Sequence, residues 1–410
     1  MDTRQDALNL LQSRQKYFSL PQTFYNNPAI FDLDLSAIFE THWIFAGMSS
    51  EIAAPGSYLT LSIGRSSIVV LRDHDGEIRA FFNTCRHRGS RICLEEHGRV
   101  RRHLICPYHQ WTYDLSGKLY HAHRMHAGFD ADPEKNALTH VQVRDVGGLI
   151  YLCLADSESD SEFARAIEPY LVPHDFASTK VAYKQHITIK ANWKLFMENS
   201  RECYHCPASH PELLKSFLMV KDELNLGESE IVAEFWKRCR DAGLPYKQKD
   251  GDDFVLGRMP LRDGYASMTL QPGVAVSRPI SAATQGMGEM RWVHYPSATN
   301  NHVMEDYGII HRVLPVDAES TLLTCYWIVH RDAVEGKDYR LDELTKVWVQ
   351  TNRQDHLLTE HNQEGVNSAG YRPGPYSQDI EQGVIKFVEW YCSTMERFLK
   401  TPRTAKELAA

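Results

Sequence analysis

Short runs rich in β-branched and aromatic residues alternate with turn signals between about Gly56 and Leu152. The runs are Tyr58–Ile63, Ser67–Leu71, Ile78–Phe82, Arg102–Cys106 and Leu149–Cys153. Pairs such as Asp75-Gly76 and Ser116-Gly117 punctuate them, which predicts a small all-β domain. The first 41 residues read as helical pieces and loops leading into Phe39-Glu-Thr-His-Trp43-Ile-Phe45. Beyond residue 163 the texture is mixed. Val181–Ile189 alternates like a strand, and Trp193–Glu202 reads as a helix with Asn192 as its N-cap. A polar helical stretch follows at Glu230–Ala242. Strands are predicted at Ala266–Leu270, Gly288–Tyr295, Tyr307–Val313 and Thr321–His330. Helices are predicted at Leu341–Val366 and Glu381–Leu399. In the last helix Phe387, Trp390, Tyr391 and Met395 mark a buried stripe. Strands packed under helices make this larger region α+β. The expected organisation is an N-terminal segment over 1–45 packing on the larger domain, a β domain over 46–155, an acidic linker at Asp156–Glu162, and the larger domain over 163–410.

Composition narrows the function classes. The 410 residues are 43% hydrophobic and 24% charged, with a net charge of −8. A nucleic-acid binder normally shows a basic excess. No apolar run approaches the roughly 20 residues of a membrane span, and the polar N-terminus lacks the apolar stretch of a signal peptide. Nine Cys in a chain this long make no disulfide scaffold. The expectation is a cytoplasmic protein that engages neither membrane nor nucleic acid.

Two Cys–His pairs carry the first chemical signal: Cys85-Arg86-His87 and, after 18 intervening residues, Cys106-Pro107-Tyr108-His109. Two Cys and two His suit a [2Fe–2S] cluster in which the Cys hold one iron and the His the other. Structural zinc uses the same ligand types, but usually as C-x2-4-C and H-x3-5-H, whereas here each pair is mixed. Buried Cys and surface His without a metal is the bland alternative. The second signal is Cys203-Tyr204-His205-Cys206-Pro207-Ala-Ser-His210. Two His and a carboxylate on one face of Fe(II) leave positions open for oxygen, and Pro207 is expected to break the helix so that the two imidazoles converge. Cys203 and Cys206 also match a C-x-x-C redox pair, a reading set aside because no thioredoxin-like βαβ pattern accompanies it.

The segments CRHRGSRIC and CPYHQWTYDLSGKL resemble the Rieske domain. The gap between the pairs is about one residue longer than in that family, a difference assigned to a turn at His97-Gly98-Arg99. Residues 192–212 resemble the mononuclear-iron motif of Rieske non-haem iron oxygenase catalytic (alpha) subunits. The resemblance implies a catalytic domain with an antiparallel sheet covered by helices, of helix-grip or TBP-like type. It implies cluster ligands Cys85, His87, Cys106 and His109. For the mononuclear iron it implies His205, His210 and Asp355, the last picked out by Q-D-x-x-L-x-E-x-x-Q-x-G, with Glu360 as an outer partner and Glu364 a weaker choice. Glu202 is implied to bridge an iron-ligating His and a cluster His of the next subunit in a head-to-tail homotrimer. Glu198 and Asn199 are expected near the site.

The C-terminal half resembles the branch acting on quaternary ammonium compounds, the glycine betaine and stachydrine demethylases. The likeness lies in Trp292–Pro296, Thr324–Tyr339 and Tyr371–Ser377. A quaternary ammonium is held by aromatic faces, and Tyr204, Trp292, Tyr295 and Tyr307 are candidates. The implied reaction uses O2, with NADH or NADPH acting through a flavin/ferredoxin-type reductase, to hydroxylate an N-methyl group and release formaldehyde. Two alternatives keep part of the scaffold: cis-dihydroxylation of an aromatic ring, and an electron carrier without oxygenase activity.

Overall fold

The computed structural model describes residues 3–155, 161–219 and 229–401. Most of the expected acidic linker lies outside these residues. The chain divides into two compact units, Phe39–Ser161 and Met1–Ile38 with Glu162–Ala410.

In the unit Phe39–Ser161 the strands are β1 (Ile44–Met48), β2 (Ser57–Ile63), β3 (Ser66–Arg72), β4 (Ile78–Phe82), β5 (His97–Arg99), β6 (His103–Ile105), β7 (Thr112–Asp114), β8 (Leu119–His121), β9 (His140–Val146) and β10 (Leu149–Cys153). Seven form one sheet in the order β1-β10-β9-β4-β3-β2-β5, and β6-β7-β8 form a second. Two expectations are corrected here. The unit begins before residue 46, because β1 pairs with β10 through Ile44↔Leu152 and Phe45↔Tyr151. His97-Gly98-Arg99 is a strand, not a turn: it adds to β2 with Gly98 opposite Tyr58. A Cβ at Gly98 would stand 2.4 Å from the Tyr58 ring, so the close approach requires glycine.

The other unit holds α1 (Thr3–Ser13), α2 (Thr23–Asn26), α3 (Pro28–Asp34), α4 (Glu162–Leu171), β11 (Thr179–Ile189), α5 (Trp193–Asn199), α6 (Cys206–Ser209), α7 (Glu230–Asp241), β12 (Lys249–Asp250), β13 (Phe254–Met259), β14 (Glu289–His294), β15 (Ala298–Val303), β16 (Tyr307–Asp317), β17 (Ser320–His330), α8 (Leu341–Asn367) and α9 (Gln382–Lys400). Its antiparallel sheet runs β11-β17-β16-β15-β14-β13-β12, and α5 packs with both α8 and α9. Residues Ala266–Leu270 form no strand. Their polar groups are taken up singly: Ser267 Oγ donates to Asp306 and Tyr307 Oη donates to the Met268 carbonyl. Conversely, β13 and β15 escaped the pattern because buried polar residues such as Arg258 and Asn301 interrupt their apolar alternation.

A buried polar cluster joins three helices of this unit. Asp34 accepts from Trp193 Nε1 at 3.1 Å and from Tyr391 Oη at 2.7 Å, and it pairs with Lys194. Both charged side chains are fully buried. Burial lowers the Lys194 pKa against the pull of Asp34. Asp34→Ala strands that ammonium in an apolar interior, so the expected loss is about 3–5 kcal/mol, read as a drop of several degrees in thermal midpoint.

Candidate metal centres

The cluster candidates sit on two loops with matching hydrogen bonds. In the first, Gly89 N donates to Cys85 O at 2.9 Å and Cys85 N to Ser90 O at 2.8 Å. In the second, Gln110 N donates to Cys106 O at 3.0 Å and Cys106 N to Trp111 O at 2.9 Å. The fifth residue of each loop has positive φ, Gly89 at 76° and Gln110 at 61°, which closes the chain sharply after the His. Cys85 and Cys106 are buried. The His87 and His109 rings lie 4.7 Å apart, and Trp111 stacks on His87 at 5.1 Å. His87 Nδ1 is buried with no hydrogen-bond partner, a costly state for a lone nitrogen and the one a metal ligand needs before its ion arrives. Four donors of this kind on two facing loops fit a Rieske-type cluster.

Sequence reasoning missed the role of Tyr113. Its Oη accepts from Arg86 N at 3.0 Å and stands 3.3 Å from Cys85 Sγ, leaving its hydroxyl hydrogen for the sulfur. Hydrogen bonds to cluster sulfurs favour the reduced, more negative state. Tyr113→Phe is therefore expected to lower the cluster potential by roughly 50 mV, near the tenfold step of a one-electron couple, as read by protein-film voltammetry.

The second site is built on α5, the turn after it, α6 and α8. Asn192 caps α5 by accepting from Lys194 N at 3.0 Å. The helix ends at Asn199, earlier than expected, and Pro207 lies in the first turn of α6 rather than ending a helix. That short helix brings His205 and His210 together, their Nε2 atoms 3.0 Å apart. Asp355 Oδ1 from α8 lies 3.2 Å from one and 3.0 Å from the other. Adjacent ligands of an octahedral ion at about 2.1 Å are separated by about 3.0 Å, so this triangle fits one face of a mononuclear metal site. Burial lowers the His205 pKa, but Asp355 and Glu202 outweigh it and raise it to about 9. His210 is likewise raised, burial being outweighed by Asp355. The carboxylates thus create a demand for positive charge that a divalent cation answers, releasing protons as it binds.

Each imidazole is held from behind. His205 Nδ1 meets Glu202 Oε1 at 2.5 Å, and Glu202 also accepts from Tyr204 N. His210 Nδ1 meets Gln354 Oε1 at 2.7 Å, and Gln354 Nε2 donates to Glu212 at 3.0 Å. Such partners fix the tautomer and orientation of a ligand. Gln354 was not singled out from the sequence, although its place beside Asp355 was a signal. Cys203 and Cys206, read from the sequence as no redox pair, are joined by a disulfide. The intervening turn sets their Cα atoms 4.9 Å apart, inside the range a bridge requires.

A cavity of about 410 Å³ opens onto the triad, lined also by Asn199, Glu202, Phe217, Trp292, His302 and Trp348. Several expected neighbours lie elsewhere. Glu198 points away and accepts from Tyr25 and Tyr376 at 2.8 and 2.7 Å; burial raises its pKa to about 7. Tyr204 is 60% exposed. Tyr295 is buried against Phe387 and Trp390, and Tyr307 is tied to Met268. None of these four lines the cavity. Glu360 accepts from Lys190 N and pairs with His356, and neither contact involves His205, His210 or Asp355.

The comparisons with known proteins follow this division. Residues 42–140 match the Rieske [2Fe-2S] domain, and residues 176–397 match the ring hydroxylating alpha subunit (catalytic domain). The chain is 43% identical over 400 residues to the glycine betaine monooxygenase oxygenase subunit of Pseudomonas aeruginosa, covering 96% of this chain and 92% of that protein. It is 42% identical over 404 residues to the subunit of the same name from Chromohalobacter salexigens, covering 96% and 89%. Among solved structures, the quaternary ammonium Rieske monooxygenase CntA with L-carnitine aligns with a TM-score of 0.71 at 22% identity, covering 95% of this chain and 98% of that one. Two matched domains, two sites whose donors suit the metals of those domains, and relatives aligned over nearly the full length place this chain in the family of Rieske non-haem iron oxygenase alpha subunits.

Proposed function

We propose that this chain oxidises an N-methyl group of a small quaternary ammonium compound, with glycine betaine the leading substrate. The observation that carries this is the 43% identity across 96% of the chain to glycine betaine monooxygenase oxygenase subunits. The cavity chemistry agrees: the aromatic residues Phe217 and Trp348 line it beside the triad. Each desolvated ring offers a quaternary ammonium on the order of 1–2 kcal/mol of cation–π attraction.

In this reading Cys85, His87, Cys106 and His109 hold the [2Fe–2S] cluster, and His205, His210 and Asp355 hold a mononuclear iron. The cluster and the iron supply electron storage and oxygen activation. The chain does the rest. Glu202 fixes His205 and offers the electron route to it. Gln354 and Glu212 fix His210. The aromatic wall seats the methylated nitrogen and excludes water. The overall change consumes O2, two electrons and two protons, placing one oxygen on the methyl carbon and the other in water. The carbinolamine C–N bond then breaks and releases formaldehyde. Electrons come from a flavin/ferredoxin-type reductase using NADH or NADPH. A head-to-tail homotrimer would place the Glu202 of one subunit beside a neighbour's cluster, and a closed ring is a normal product of such contacts. Among the described residues no helix is long and apolar enough to cross a membrane.

Incubation of the metal-loaded protein with a surrogate reductase, NADH and glycine betaine is expected to release formaldehyde in step with NADH consumption. Turnover of an aromatic acid with no betaine oxidation would overturn this assignment in favour of ring dihydroxylation.

A further inference from the structure

Four cationic side chains line the cavity, and three already have partners. Arg201 donates to Tyr295, Lys386 pairs with Asp250, and Arg258 donates to His174 and to the Pro245 carbonyl. Arg291 is different. It lines the cavity, is only partly exposed, and makes no hydrogen bond or ion pair among the described residues. A guanidinium presents five donors in a planar fork suited to a carboxylate.

Directly opposite Arg291 on the neighbouring strand is His302. Paired residues on adjacent strands project from the same face. His302 also lines the cavity, and its Nδ1 is engaged by Glu289. Glu289 is 1% exposed and has no other partner among the described residues. A buried carboxylate with a single partner is costly unless its charge is neutralised. An imidazolium between two carboxylates donates one N–H to each. Nε2 makes no hydrogen bond among the described residues, so His302 leaves one ring nitrogen open to the cavity beside the Arg291 fork, where a bound carboxylate can take its N–H.

Aromatic groups adjoin this corner. The His302 ring lies 4.9 Å from that of Trp348 and 6.1 Å from that of Phe217. Trp348 and the ligand Asp355 are seven residues apart on α8, nearly the same face and about 10 Å along the axis. The cavity therefore has an anion-binding corner, an aromatic stretch and the metal triad in one unit of the chain.

We propose that Arg291 and the His302–Glu289 pair clamp the carboxylate of a zwitterionic substrate, so that the site selects short betaines over quaternary ammonium alcohols such as choline. This rests on the N-methyl oxidation reading. Arg291 and His302 touch the substrate, and Glu289 positions His302.

The test compares glycine betaine and choline in the cluster- and iron-loaded protein, by formaldehyde release and by calorimetric binding. The unaltered protein is expected to favour betaine by about 100-fold or more in kcat/KM, the discrimination available when a polar site meets an analogue lacking its partner. Arg291→Gln should raise the KM for betaine about 30-fold or more, with the loss on KM rather than kcat and choline values within about twofold. Arg291→Lys should recover part of the loss. The double variant Glu289→Gln/His302→Phe removes donor and buried charge together, which protects the fold, and should raise the betaine KM about tenfold or more. Variants that keep the betaine preference, or lose both substrates equally, overturn the clamp. If neither compound is oxidised, the N-methyl oxidation reading has failed. Calorimetry still decides the clamp in that case: betaine binding that depends on Arg291 upholds it, and binding that does not, or no binding, overturns it.

Discussion

Asp355→Ala is expected to abolish turnover, by roughly a thousandfold or more, and to remove one iron per chain while leaving the visible spectrum of the cluster unchanged. Asp355 is 5% exposed, and its Oδ1 is the only carboxylate oxygen that meets both His205 Nε2 and His210 Nε2 among the described contacts. Alanine leaves two imidazoles facing each other with no anion between them. Iron analysis gives the direct readout. Unaltered protein should hold about three irons and the variant about two, from the ligand counts of the two sites. Retention of the third iron with full activity would show that another carboxylate completes the site.

Glu202→Gln separates electron delivery from metal binding. Its carboxylate touches His205 Nδ1 on the side remote from the triad. Glutamine keeps the length and an accepting oxygen but removes the charge. The expected result is a loss of steady-state turnover of at least about 100-fold with both metal sites filled, at the upper end of what an outer ligand partner controls. In a single-turnover experiment the reduced cluster should remain reduced when O2 and substrate are added. Loss of iron instead would identify Glu202 as a ligand. Unchanged cluster oxidation would rule out the route through this side chain.

The larger picture was legible wherever function depends on spacing along the chain. C-x-H and C-x2-H declared two short loops, and each loop closes by the same pair of backbone hydrogen bonds around its Cys. His205 and His210 lie close enough in sequence for one turn and one short helix to join them. Asp355 is a different case, 145 residues beyond His210. Only the family pattern around it singled it out, because neighbouring carboxylates such as Glu360 and Glu364 share its composition and its helix. Patterns of apolar alternation found β2, β3, β4, β11, β16 and β17, but not β13 or β15, where buried polar residues such as Arg258 and Asn301 break the alternation.

The cavity itself was not legible. Tyr204, Tyr295 and Tyr307 looked like substrate aromatics by residue type, yet burial against neighbours or exposure takes them out of the lining. Phe217, His302 and Trp348 carried no signal, since each is an ordinary residue in an ordinary segment until β15 and α8 bring them within 4.9–6.1 Å. The same holds for Arg291 and His302, 11 positions apart and adjacent only through strand register. By itself the sequence determined the metal chemistry, because ligand types and short spacings are local properties of the chain. Only the fold settles which side chains line the cavity, because that depends on register and burial between segments far apart in sequence; for Asp355 it added the contact with His205 and His210 to a position the sequence pattern had already singled out.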